Sequence, residues 1–299
     1  MKRDDDSEIE DSRAPLLEHL VELRRRLIVC CAVLVVGFGF CFIYSGNIYL
    51  LLLRPFEMAG ALLAQQKHGG HHGPFDLLFA VTGIHPVNTH GQNLKLVFTA
   101  PLEFFFTKMK LAGFGAIVIC FPVLAFQLYR FVAPGLYRRE RAAFLPFLLA
   151  APVLFLMGAA LVYFIMLPFV LWFSLSQQIV SPDVQVELLP KVSDYLTLVT
   201  HLLLAFGLCF QLPVVLSLAG MAGLVNAPML AKGRRYAIVG IVFLAAIVTP
   251  PDPLSQCLLA IPIYGLYEIS IWCVRLIGLR RDREDEARDL EEAGGGSPV

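Results

Sequence analysis

A carboxylate and a guanidinium one helical turn apart, Glu22 and Arg26, are the first residues in this chain whose types and spacing suggest chemistry. They belong to PLLEHLVELRRRL, Pro15 to Leu27, where Leu16, Leu20, Leu23 and Leu27 recur at helical spacing and make an apolar stripe. Acid before base at four residues is the favoured order for a helical ion pair. The stretch runs without a break into an uncharged segment, 27–44, so the charged helix stands at the edge of an apolar layer. A carboxylate there can meet a group that arrives along that surface. The same residues can equally be a solvated anchor, with Arg24, Arg25 and Arg26 doing no more than fixing orientation. Local sequence leaves both readings open.

Other polar residues lie in or beside apolar segments: Glu103, Lys108, Lys110, Gln127, His201, Gln211, Asp252 and Glu268. An ionisable group at the centre of a membrane helix costs about 2.5–3.5 kcal/mol on insertion scales, so such groups face protein, a wet cavity or the interface. Glu103, Lys108 and Asp252 sit near the ends of apolar segments, where the interface is expected. Lys110 either snorkels outward or pairs with Glu103, seven residues back. Gln211 lies deep in the fourth apolar segment, either as a functional polar group or as a helix-packing hydrogen bond. His201 reads as a packing residue.

Several chemistries find no support. His68, His71, His72, His85 and His90 are irregularly spaced in a Gly-rich stretch without an acidic cluster, which is not a metal pattern. The seven cysteines, 30, 31, 41, 120, 209, 257 and 273, all fall in apolar segments without a CxxC pair and read as small hydrophobes. There is no HExxH, no GxSxG and no phosphate-cradling Gly loop, so neither an enzyme nor a cofactor is expected.

The elements that position these residues follow from composition. Of 299 residues, 57% are hydrophobic and only 16% charged, and the mean hydropathy is +0.69. That is the composition of a polytopic membrane protein. The first apolar run, 27–44, reaches about 27 Å at the helical rise, enough to span. A polar stretch to about residue 99 reads as a loop with short apolar pieces such as Ile48–Leu53 before Pro55. Spans are expected over 104–128, 142–173, 195–218, 236–248 and 254–274. The third is long enough to tilt or to extend beyond the bilayer, and Pro146, Pro152 and Pro168 kink it unless they fall near its ends. The fifth is only 13 residues and reaches about 20 Å, too short to cross comfortably. Eighteen of the 24 Lys and Arg lie in 1–26, 129–141, 226–235 and 275–299. Those stretches mark the cytoplasm, which puts both ends inside. Residues 1–14 and 279–299 are polar and expected to be disordered ends around a membrane domain, 15–278. The first 26 residues lack the apolar core of a cleavable signal peptide.

The loop FVAPGLYRRER, Phe131 to Arg141, together with HLVELRRRL at 19–27, resembles the TatC family of the twin-arginine protein translocase. Further motifs agree: PLEF at 101–104 with Lys110 downstream, Gln127 in AFQLYRFVAPGLY, FGLCFQLPV at 206–214, GRRYAIVG through TPPDPLSQ at 233–256, and IPIYGLYEIS at 261–270. They cover roughly 15–278 in order. Two departures stand out. The stretch around 60–95 is longer and richer in His than usual, and Gln211 stands where many members have Glu.

The resemblance implies an all-α fold of six transmembrane helices, cupped-hand in shape, with the last two short. It implies recognition of twin-arginine signal peptides at the cytoplasmic face of the inner membrane. Transport of folded proteins then proceeds with the single-span subunits TatA and TatB and the proton-motive force. The working form is an oligomeric complex in contact with membrane lipids and no nucleic acid. Two guanidiniums are best met by carboxylates, and the resemblance assigns that contact to Glu22 and Glu140. It adds Arg24, Phe131, Pro134, Leu136 and Tyr137 as residues that shape the site. Gln127 and Gln211 are then the intramembrane polar groups, and Glu103, Lys110 and Asp252 belong to the periplasmic side. The alternative function is a small-solute secondary transporter. Such proteins often carry internal repeats and mid-membrane sites, and this sequence displays no repeat between its halves.

Overall fold

The computed structural model describes residues 3–67, 97–132, 145–176, 179–180, 185–186, 191–249 and 253–294. Its helices are α1 (Arg3–Ile43), α2 (Ser45–Lys67), α3 (Glu103–Val132) and α4 (Leu145–Leu161). A π-turn, Val162–Met166, carries α4 into α5 (Leu167–Ser176), and α6 (Val192–Cys209), α7 (Leu212–Met221), α8 (Ala227–Val248) and α9 (Pro253–Gly294) come after it. A small hairpin between α5 and α6 pairs Ile179 with Val186. Among the described residues, five stretches are long and apolar enough to cross a membrane: Leu20–Ile43, Glu103–Phe131, Leu149–Leu171, Val192–Met221 and Ser255–Arg280. The architecture is all-α and multi-span. The fifth expected span lies in α8, which carries Lys232, Arg234 and Arg235 in its first turns and leaves only Tyr236–Val248 uninterrupted.

Helices α1 and α3 run antiparallel. Arg26 meets Gln127 at one end, and the rings of Phe42 and Phe105 meet at the other. The first end, where α1 leaves its charged part and α9 returns to charge, is the terminal face. The seam between α1 and α3 is built from small residues. A Cβ on Gly37 would lie 2.5 Å from Cys120 Sγ, and one on Gly115 would lie 3.0 Å from Cys41 Sγ. Lipid gives helices no hydrophobic reason to associate, so close backbone approach over small residues supplies the contact instead.

Three features of the fold have local causes. First, Ile48–Leu53 is not an isolated piece; Pro55 lies inside the 23-residue α2. Proline has no N–H, which leaves the carbonyl four residues earlier, that of Leu51, without its helical donor. The Tyr163 hydroxyl donates to that carbonyl at 2.8 Å. Tyr195 Oη donates to the next one, Leu52 O, also at 2.8 Å, so α2 is pinned both at the π-turn and at α6.

Second, the kink expected at a proline of the long third run takes the form of a π-turn. The run breaks into α4 and α5 through this turn just before Pro168, closed by the Leu167 N–H on Val162 O. Pro168 cannot donate to Phe164 O, and the widened turn absorbs that defect. Third, α1 begins at Arg3 and α9 runs to Gly294. The sequence there has local helix support: Asp4, Asp5 and Asp6 fall in the first turn of α1, and Glu284 precedes Arg288 by one turn.

The core sits where α4 crosses α6. Phe155, Val162, Leu196, Val199, Leu202 and Phe206 are all nearly inaccessible. Gly158 and Gly207 let the backbones approach, since a Cβ on Gly207 would meet Phe155 at 2.5 Å and one on Gly158 would meet Phe206 O at 2.8 Å. Between α6 and α7 the helix breaks at Phe210 and Gln211, where Gln211 N–H reaches Leu208 O at 2.9 Å in a tightened turn. Pro213, in the first turn of α7, accounts for the break. Gly223, at φ 71°, ends α7 in a conformation open chiefly to glycine, with Leu224 N–H on Ala219 O at 2.9 Å. Helix α9 closes the bundle against α7 and α8. The Tyr267 hydroxyl donates to Leu230 O at 2.7 Å.

Candidate functional site

Glu22 stands at the terminal face, on the turn of α1 just before the apolar run. The expected pair forms. Arg26 Nε donates to Glu22 Oε1 at 3.1 Å, and a second guanidinium nitrogen reaches the same oxygen. The third nitrogen reaches the backbone carbonyl of Gln127 on α3 at 3.4 Å. Arg26 is thus held between two helices and is only 13% exposed, whereas the Glu22 side chain is 35% exposed. A pair of this kind on a wet helix surface contributes only about 0.3–0.5 kcal/mol to stability. Its effect is geometric: it fixes a carboxylate at the surface and ties it to the last turns of α3.

Phe131, half-buried, ends that same helix segment, and Arg24 is exposed beside Glu22. Glu22, Arg24, Gln127 and Phe131 therefore gather at one end of the α1–α3 pair. Glu140, Pro134, Leu136 and Tyr137 lie outside the described residues, as does Asp252. Gln127 enters through its main chain; the bond to Arg26 uses its carbonyl, which no sequence signal singles out.

Gln211 is at the hinge between α6 and α7. Its Nε2 donates to Ala151 O on α4 at 2.8 Å. The amide therefore makes a helix-packing bond, across the same α4–α6 contact that holds the core. A second polar group gathers on α8 and α9 at the terminal face. Glu268 accepts from Arg234 at 2.8 Å and from Tyr264 Oη at 2.7 Å.

On the opposite face, Glu103 opens α3. Its Oε2 accepts from Thr99 N at 2.7 Å, Thr99 Oγ1 at 3.1 Å and Ala100 N at 3.2 Å, and its Oε1 accepts from Ser193 Oγ at 2.5 Å. The carboxylate thus joins the start of α3 to the start of α6. Val192 N–H on Val97 O at 3.3 Å adds a main-chain link. Lys110 lines the same cavity as Glu103 but makes no ion pair with it. The Lys110 side chain is exposed. Among the described residues no group of His, Cys, Asp and Glu has the arrangement of a metal site.

The family model described as "Sec-independent protein translocase protein (TatC)" matches residues 18–262. The chain belongs to the TatC family. A relative from Magnetococcus marinus, a Sec-independent protein translocase protein TatC, is 38% identical over 95% of this chain and 92% of its own length. The protein of that name from Escherichia coli K12 is 32% identical over 95% of this chain and 97% of its own. A crystal structure described as the twin-arginine translocase receptor TatC superposes with a TM-score of 0.67, at 31% identity, over 86% of this chain and 98% of the other. The protein is therefore a multi-span subunit of the twin-arginine translocase, and the solute-transporter alternative finds no support.

Proposed function

We propose that the terminal face is the cytoplasmic receptor site for twin-arginine signal peptides, with Glu22 and Glu140 as the carboxylates that accept the two guanidiniums. The observation that carries this reading is Glu22 itself. It is a half-exposed carboxylate at the membrane edge, oriented by Arg26 and backed by α3, in a chain whose solved relative is described as a twin-arginine translocase receptor. Charge-assisted hydrogen bonds from a guanidinium contribute about 1.5–3 kcal/mol each. Arg24, exposed beside Glu22, shapes the site. Phe131, Pro134, Leu136 and Tyr137 shape the loop around it. The bias of Lys and Arg toward four stretches supports cytoplasmic ends and an inner-membrane location. In this reading the chain works in an oligomeric complex with TatA and TatB, passes folded cargo and draws on the proton-motive force.

The test is binding of a twin-arginine signal peptide to the full chain in detergent. Glu22→Gln combined with Glu140→Gln should weaken it by about a hundredfold or more, the loss of two charge-assisted contacts. Undiminished affinity in a double variant that still inserts would show the site to be elsewhere.

A further inference from the structure

Lys110 and Lys191 are exposed, and their ammonium groups make no ion pair or hydrogen bond among the described residues. Both line one cavity of about 350 Å³ on the face opposite the termini, at the starts of α3 and α6. Two carboxylates line it with them, in different states. Glu103 is fully committed to four donors. Asp194 is not. Its nearest donor is Ser193 Oγ at 3.4 Å, and that hydroxyl has a single hydrogen, which it gives to Glu103 at 2.5 Å. The cavity therefore presents two uncommitted ammonium groups and one uncommitted carboxylate.

That set of charges is the complement of a zwitterion with a phosphate and a primary ammonium. The surroundings say where such a group would come from. A second, aromatic cavity lined by Phe98, Pro101 and Phe104 adjoins the first and shares Thr99 and Ala100 with it. Leu102 and Phe106, on the rim of the charged cavity, are exposed. Both cavities lie where the candidate spans Glu103–Phe131 and Val192–Met221 begin, the depth of a headgroup layer. Lys110, two turns into its helix, reaches that layer by the snorkelling its long stem permits.

The geometry points to a phospholipid seat: a phosphoethanolamine headgroup held with its phosphate between Lys110 and Lys191 and its ammonium on Asp194, the glycerol end lying against Phe98 and Phe104. Soluble phosphoethanolamine carries the same phosphate and ammonium groups, but it leaves the aromatic cavity empty. Phosphatidylcholine has no N–H to give Asp194, and phosphatidylglycerol has no cation. The headgroup is gripped at the joint where Glu103 ties α3 to α6, so the lipid would brace that joint.

Native mass spectrometry of the full chain in detergent tests this, by titration with phosphatidylethanolamine, phosphatidylcholine and phosphatidylglycerol of identical acyl chains. The expected result is one phosphatidylethanolamine retained at least tenfold more tightly than either other lipid, and lost in Lys110→Gln/Lys191→Gln. Asp194→Asn should bring ethanolamine and choline lipids to near-equal retention. Lys110→Arg/Lys191→Arg keeps both cations and should keep the lipid, which separates loss of charge from loss of fold. Full retention by the Gln variant, loss in the Arg variant, or equal binding of the three lipids by the unaltered chain would each overturn the assignment. Displacement of the lipid by an equal concentration of soluble phosphorylethanolamine would overturn the lipid source as well.

Discussion

The bond from Tyr163 to the carbonyl that Pro55 leaves without a donor allows a double-mutant test of how α2 is held. In an uninterrupted helix Leu51 O would accept from residue 55, but residue 55 is proline. Tyr163 Oη at 2.8 Å fills that place from a different helix. Tyr163→Phe removes the hydroxyl and leaves the carbonyl of the exposed Leu51 unpaired, a loss of about 1–1.5 kcal/mol. In a Pro55→Ala background residue 55 regains its N–H, and the same substitution should then cost about 0.5 kcal/mol or less. The coupling between the two positions is therefore about 1 kcal/mol, well outside the scatter of about 0.3–0.5 kcal/mol for independent sites. Tyr195→Phe is the internal control, because its acceptor, Leu52 O, faces residue 56, which has an N–H in either background. Reversible unfolding in mixed micelles, followed by the fluorescence of the two tryptophans, gives the four free energies of each cycle. Equal costs of Tyr163→Phe in both backgrounds would refute the reasoning, as would an equally large coupling between Pro55 and Tyr195.

Gly207→Ala drives a methyl to 2.5 Å from the Phe155 ring, so it should destabilise the bundle by about 1–3 kcal/mol, read by the same unfolding assay. Gln211→Leu removes the donor to Ala151 O and should impair export in a strain lacking its own TatC protein, while Gln211→Glu should retain it as a neutral acid that still donates. Wild-type export by Gln211→Leu would count against a role for that bond. Cysteines placed singly along 236–248, in a background without the native ones, should show aqueous labelling at both ends of the apolar stretch, because thirteen residues reach about 20 Å against a core of about 30 Å. Uniform protection along the segment is the contrary outcome.

What the sequence made legible was local. Glu22 and Arg26 pair because four residues on a helix bring them together, and that spacing is visible in one dimension. The spans are visible because their interiors carry almost no charge. What was not legible depends on distant partners. Nothing near Pro55 announces that a tyrosine more than a hundred positions later repairs its helix, so the proline looked like a stop. Ser193 is 90 residues from Glu103, and the Gln127 contact uses a main-chain carbonyl that any residue would offer. Gln211 was legible as a polar group in an apolar run, but its acceptor, Ala151 O, was not. Arg26 as a brace between α1 and α3, beyond its role as partner of Glu22, was missed for the same reason.

The π-turn at Val162–Met166 has a further consequence, for which lengths of chain this region accepts. A π-turn is in effect one extra residue wound into an α-helix, and each residue rotates the remainder of the helix by about 100°. Its presence turns α5 relative to α4, so that one uncharged run presents α4 to α6 and α5 to α2. Removing any single residue from 162–166 would restore the ordinary winding. Leu167, Val170 and Leu171 would then swing away from the faces that now bury them. Such a deletion should be far more damaging than a substitution at the same position. A natural length variant surviving there should carry a compensating insertion before α6.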